Sequence, residues 1–143
     1  MSSEISGKNV LITGGARGIG RALSRHFLST RNQVYILDLD EAELANTANV
    51  HLKQYSKHLA YSVCNLRSVD SVRSNVAKAA EFFGGNIDVL INNGGIASPH
   101  WKDGKTMEDL ETVDEWHAYI ETNLTVRLLT YCLTYLVSPY TIC

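Results

Sequence analysis

Residues 10–20, Val-Leu-Ile-Thr-Gly-Gly-Ala-Arg-Gly-Ile-Gly, constrain the fold more than any other stretch of this 143-residue chain. Val10 to Ile12 reads as a buried strand. Gly14, Gly18 and Gly20 follow with Gly-x-x-x-Gly-x-Gly spacing, and helical periodicity starts at their end. A strand, a tight turn and a helix gather backbone N–H groups at the positive end of a helix dipole, a place that suits a phosphate. Gly14 would let the chain turn sharply, Gly18 would let backbone approach an anion, and Gly20 would let the helix pack close on the strand. The spacing is not the Gly-x-Gly-x-x-Gly of the standard dinucleotide fingerprint, and a turn with no ligand explains it equally well in isolation.

The surrounding sequence favours the nucleotide reading. Val34-Tyr35-Ile36-Leu37-Asp38 is a second buried-strand pattern ending in an acid, eighteen residues after Gly20. A Rossmann unit places there the carboxylate that binds the adenosine ribose hydroxyls. Four strand-then-helix units can be traced. The strands are Lys8–Thr13, the segment ending at Asp38, Lys57–Val63 and Ile87–Ile91. The first helix runs from Gly18 to Arg31, with Ile19, Ala22, Leu23, His26 and Phe27 at helical spacing. Asp40 with Glu43 forms a capping box for a second helix, whose apolar face carries Leu44, Ala48, Leu52 and Tyr55. Ser68 caps a third, with Val69, Val72, Val76, Ala80 and Phe83 inward and Gly84-Gly85 as its stop. Residues 97–111 read as a polar surface loop. Thr112 and Glu115 form another capping box, opening a long helix through Trp116, Ile120, Leu124, Leu128 and Cys132. Alternating strands and helices imply a parallel α/β sheet covered on both faces.

The length supports one domain spanning residues 1–143. A formal net charge of −2 gives no electrostatic reason to expect nucleic acid or an anionic membrane. Cys64, Cys132 and Cys143 lack metal or redox spacing, and no histidine pair has ligand spacing, so no metal site is expected. The uncharged stretch Leu128–Cys143 spans sixteen residues and contains Pro139, short of the ~20 that cross a bilayer. With no secretory pattern at the N-terminus, a cytoplasmic location is expected.

With Thr13-Gly14-Gly15-Ala16-Arg17-Gly18-Ile19-Gly20, Asp38, Asn92-Asn93-Gly94-Gly95 and Asn123 in order, the chain resembles a short-chain dehydrogenase/reductase over residues 7–125, with a divergent tail at 126–143. The resemblance implies an incomplete Rossmann-type sheet of about four strands in the order 3-2-1-4. It also implies hydride transfer between a nicotinamide cofactor and a small alcohol or carbonyl substrate, and a homo-oligomer. Thr13, Gly14, Arg17, Gly18, Ile19 and Gly20 would line the pyrophosphate and its ribose. Asp38 would bind the adenosine ribose, and Asn65 and Leu66 would flank the adenine, Asn65 standing where the family usually has Asp. Asn93, Gly94 and Gly95 would border the cofactor, Gly94 replacing the family's Ala, and Asn92 would brace the central strands. A carboxylate at Asp38 repels the 2′-phosphate of NADP and favours NAD, although Arg17 pulls the other way.

The chemistry departs from the family. Asn123 matches the family's catalytic Asn. However, no tyrosine of this chain has a lysine four positions later, and the preceding serine is also missing. The resemblance therefore implies a truncated form that is inactive alone and at most binds cofactor, its last eighteen residues foreign to the fold. The alternatives are a non-catalytic nucleotide-binding or interaction module, pairing through the exposed edge of strand four, and a truncated product without function.

Overall fold

The computed structural model describes residues 5–96 and 111–137, without the side chains of 111–113, 115 and 137. Four parallel strands, β1 (Asn9–Thr13), β2 (Gln33–Asp38), β3 (Leu59–Val63) and β4 (Val89–Asn92), lie in the order β3-β2-β1-β4. The helices are α1 (Gly18–Ser29), α2 (Glu41–Asn46), α3 (Val69–Phe82), α4 (Glu111–Ile120) and α5 (Val126–Val137). The expected architecture and strand order are both present.

Alternation along the strands divides the core into two layers. Val10, Ile12, Val34 and Ile36 face one side with Leu28, Leu44 and Leu52. Leu11, Tyr35, Leu37 and Leu90 face the other with Val72, Val76 and Ala79 of α3, and Leu129 and Leu133 of α5 pack against that layer. Each fully buried aliphatic side chain contributes about 1.5–3 kcal/mol, which is why the central strands β1 and β2 read as unbroken apolar runs. The edge strand β3 is covered less completely: Leu59 is buried, but Tyr61 and Val63 further along the same face are exposed.

Several expected elements differ in extent. The second helix does not run on to Tyr55 but breaks into α2, a π-turn (Thr47–His51) and a 3₁₀ turn (Lys53–Tyr55). Its apolar face nonetheless stays inward at Leu44 and Leu52. Strand β3 starts at Leu59 rather than Lys57, because the His58 N–H closes a turn onto the Tyr55 carbonyl at 2.8 Å. Strand β4 starts at Val89, after Asp88 has accepted the Asn9 N–H at 2.9 Å. In α1 the buried line is Gly20, Ser24 and Leu28, so Ile19, Ala22 and His26 face outward. Val69, expected inward on α3, is exposed in its first turn. The loop expected over 97–111 lies outside the described residues apart from Glu111, which already opens α4, so the helix starts one residue before the expected cap Thr112; the side chains of Thr112 and Glu115 lie outside those described.

The long helix is present but rotated. Trp116, Leu124 and Leu128 face outward and Cys132 is exposed, while Thr122, Val126, Thr130 and Thr134 are buried. A stride of four drifts about 40° per step on a helix of 3.6 residues per turn, and the π-turn Glu121–Thr125 adds a further offset. Two side-chain ties fix the rotation. Asn123 Oδ1 accepts the Ile96 N–H at 2.8 Å while its Nδ2 donates to the Ile96 carbonyl at 2.9 Å. Asn92 Nδ2 donates to the Arg127 carbonyl at 3.3 Å.

Thr134 is fully buried, and its hydroxyl makes no hydrogen bond among the described residues. Thr134→Val keeps the shape and removes the unpaired polar group, so it should stabilise the fold by about 1 kcal/mol. A urea midpoint that falls instead of rising would contradict this.

Candidate functional site

The C-terminal ends of the strands open onto a cavity of about 880 Å³. One wall is the turn between β1 and α1. Gly14 leaves the strand at φ +66°, and its N–H donates to the Leu37 carbonyl of β2 at 2.7 Å. A Cβ at Gly14 would lie 2.7 Å from Gly94 Cα, so the two glycine segments touch backbone to backbone. Gly20 packs against the turn itself rather than against the strand: a Cβ there would sit 2.0 Å from the Gly14 carbonyl oxygen. Gly18, at φ +52°, faces open space with nothing within 4 Å of its Cβ position. Arg17 precedes α1 and supplies no side-chain cap, and the first turn holds no acid. The helix N-terminus therefore presents positive potential to the cavity.

The second wall is the end of β2. The Asp38 carboxylate accepts the Ala16 N–H at 3.0 Å and the Asp40 N–H at 3.2 Å, so it holds the glycine turn while it lines the cavity. Asp40 caps α2 as expected, accepting the Glu43 N–H at 3.0 Å. The return arm of the capping box does not form, because Glu43 instead pairs with Arg21 at 2.7 Å. The second oxygen of Asp40 holds the Arg17 guanidinium. The Glu43 N–H holds the Asp40 carboxyl below the usual carboxylate range. Burial works against this, and Arg17 adds to it through its hydrogen bond and charge.

Asn65, Leu66 and Arg67 form the third wall. The Asn65 side-chain oxygen already accepts the Arg67 N–H at 3.0 Å. Arg67 reaches across to Glu121 at 2.7 Å and joins this wall to the π-turn after α4. Cys64 lies beneath, and burial pushes its thiol pKa up despite a hydrogen bond from Ser71. The fourth wall is Asn93-Gly94-Gly95 after β4. Asn93 Nδ2 donates to the Thr13 and Gly14 carbonyls at 3.2 and 3.0 Å, adding a side-chain tie beside Asn92, which is the β4 partner of Thr13 in the sheet. Thr13 lies behind the wall, its hydroxyl accepting the Gly94 N–H at 2.9 Å.

The structure thus gathers Gly14, Arg17, Gly18, Ile19, Asp38, Asn65, Leu66, Asn93, Gly94 and Gly95 around one cavity. Thr13, Gly20, Asn92 and Asn123 serve as supports just outside it. Sequence reasoning missed Leu39, Asp40, Cys64, Arg67, Ile96 and Thr122 as lining residues. Adjacency to Asp38 and to Asn65-Leu66 was the available signal for most of them. Among the described residues no group of three or more His, Cys, Asp or Glu side chains could hold a metal ion. None of the described helices is long and apolar enough to cross a membrane.

A parallel sheet in the order 3-2-1-4, with a glycine turn and an acid side by side at its carboxyl end, defines a Rossmann-type α/β protein. The short chain dehydrogenase family model matches residues 8–139 and so runs on through α5. The chain is 35% identical over 121 residues to the 3-oxoacyl-[acyl-carrier-protein] reductase FabG of Salmonella typhimurium, covering 85% of this chain and 45% of that protein. It is 30% identical over 141 residues to the L-fucose dehydrogenase of Bos taurus, covering 98% and 47%. A crystal structure of a short-chain dehydrogenase/reductase (glucose/ribitol dehydrogenase) from Brucella melitensis superposes with a TM-score of 0.81 at 26% identity, covering 96% of this chain and 54% of that one. The chain belongs to the short-chain dehydrogenase family. It spans about half the length of the curated relatives it matches.

The two glycine positions should respond differently to a methyl group. Gly20→Ala drives a Cβ into the Gly14 carbonyl and should cost about 1–3 kcal/mol or more. Gly18→Ala meets open space and should cost only about 1 kcal/mol of left-handed strain. Equal shifts in urea midpoint for the two variants would show the turn is packed differently.

Proposed function

We propose that this chain is the cofactor-binding portion of an NAD(P)-dependent oxidoreductase acting on an alcohol or carbonyl group, and that its cofactor is NAD. The observation that carries the reading is the Asp38 carboxylate, fixed by two backbone N–H groups, one of them in the glycine turn, and lining the cavity beside that turn. A dinucleotide laid along this cavity would place its pyrophosphate at the N-terminus of α1, against the open backbone at Gly18. Asp38 would then accept the adenosine ribose hydroxyls, and Asn65 and Leu66 would flank the adenine. Gly94 and Gly95 would allow the far half of the cofactor to pass close to the sheet. A bound nicotinamide supplies or accepts the hydride.

The protein's part is placement and exclusion of the wrong charge. A 2′-phosphate beside Asp38 would meet a like charge, a repulsion of roughly 4 kcal/mol at 4 Å and an effective dielectric of 20. This supports NAD over NADP. Asn123 is occupied with the Ile96 backbone through both of its side-chain atoms. In this reading it positions the wall on which a substrate oxygen would rest.

The 143 residues hold no Tyr-x-x-x-Lys pair, so the isolated chain is expected to bind NADH without turning it over. Titration of the chain with NADH, followed by nicotinamide fluorescence, should saturate, and a panel of alcohols and ketones should then give no turnover. Asp38→Ala should weaken NADH binding tenfold or more, since a hydrogen bond to a charged group is worth about 1.5–3 kcal/mol. An unchanged NADH affinity in that variant, with the urea midpoint unchanged, would remove the ribose site from Asp38.

A further inference from the structure

Two residues beyond the ribose acid, Asp40 does a job that its role as a helix cap does not account for. One carboxylate oxygen accepts the Glu43 N–H at 3.0 Å, and the other is turned back across the mouth of the cavity onto the Arg17 guanidinium. Arg17, Asp38 and Asp40 all line the cavity, and the Asp40 N–H donates to Asp38 Oδ1 at 3.2 Å, so the three charges share one corner. The other cation nearby cannot take Arg17's place. Arg21 donates to the Ala16 carbonyl through Nε and Nη2, at 3.0 and 2.8 Å, and pairs with Glu43 at 2.7 Å.

We propose that Asp40 is a cofactor-specificity residue that acts by sequestering Arg17. Resting on the NAD reading above, this deepens it: discrimination lies in the pair Asp40–Arg17 as well as in Asp38. Among the described residues two arginines line the cavity, and Arg67 is tied to Glu121 on the far wall, so Arg17 is the cation placed to meet a phosphate on the adenosine ribose. With Asp40 in place it is already paired, and the corner carries two carboxylates to one guanidinium. With Asp40 neutral, the same corner carries one of each. The guanidinium is then free to make a forked, charge-assisted contact with a phosphate dianion. The Arg17–Asp40 pair is exposed, with side-chain exposures of 60% and 40%, so its removal redirects Arg17 without dismantling the fold.

The test is the ratio of NADPH to NADH dissociation constants, measured by fluorescence titration of the 143-residue chain. Asp40→Asn keeps a good helix cap and removes the charge. It should shift the ratio toward NADPH by about fivefold or more. Adding Arg17→Ala to Asp40→Asn should cancel the shift, because the gain passes through that guanidinium. Asp40→Glu retains the charge on a longer arm and impairs the cap, and its ratio should stay near that of the unmodified chain. A purely structural role for Asp40 predicts the reverse, with Glu the more disruptive replacement and no change in ratio for Asn. An unmoved ratio in Asp40→Asn, or a gain that survives Arg17→Ala, overturns the inference while leaving cofactor binding intact. Absence of saturable binding of either dinucleotide to the unmodified chain overturns the functional reading, and this inference with it.

Discussion

The backbone of residues 14–16 is held from every side, and the rest of the site is arranged around that clamp. Strand β2 accepts the Gly14 and Gly15 N–H groups on the Leu37 carbonyl and the Ala16 N–H on the Asp38 carboxylate. Thr47 donates its hydroxyl to the Ala16 carbonyl at 2.5 Å from the segment after α2, and Arg21 reaches the same carbonyl from α1. Asn93 donates to the Gly14 carbonyl from beyond β4. A tight turn has few ways to satisfy its polar backbone, and buried polar groups left unpaired are costly. Here the neighbouring elements supply the partners, and the open face of the turn at Gly18 is left toward the cavity.

The parts of this arrangement legible in the sequence were those dictated by local chemistry. Unbroken apolar runs marked β1 and β2, and Asp40, Ser68 and Gly84-Gly85 marked helix ends, where they indeed cap or stop α2 and α3. What was not legible depended on long-range fit. The turn of α4 and α5 about their axis is fixed by Asn123 on Ile96, twenty-seven residues away, and so three threonines lie under the helix while Leu124 and Leu128 face out. Hydrophobicity alone assigns those positions the other way round. The break after α2 likewise reflects Thr47 meeting Ala16 across the molecule, a contact with no periodic signature.

Among the asparagines, residue type was readable but assignment of the job was not. Asn92 and Asn93 are adjacent in sequence, yet Asn92 closes β4 while Asn93 lies just past it, its N–H turned back onto the Ile91 carbonyl, and their side chains reach different partners. One reaches α5, and the other reaches the end of β1. Asn93 thus adds a side-chain tie to the end of β1, where Asn92 already pairs with Thr13 in the sheet. Similarly, Asp40 announced itself as a cap, and its second oxygen became informative only once Arg17 was seen beside it. A carboxylate has several acceptor positions and can serve two partners at once, so a local signature identifies one role without excluding another.

The double hydrogen bond between Asn123 and Ile96 has a mechanical consequence. Because Asn123 both accepts from and donates to the same residue, it treats Ile96 as a neighbouring strand would. The attachment point sits on a π-turn, a single-turn irregularity that carries one extra residue within the helical ladder. Re-winding there would turn the Asn123 side chain and drag the Gly94–Ile96 segment with it. The rear of the cavity and the axial twist of the long helix thus make up a single mechanical unit, like a key and the barrel it turns.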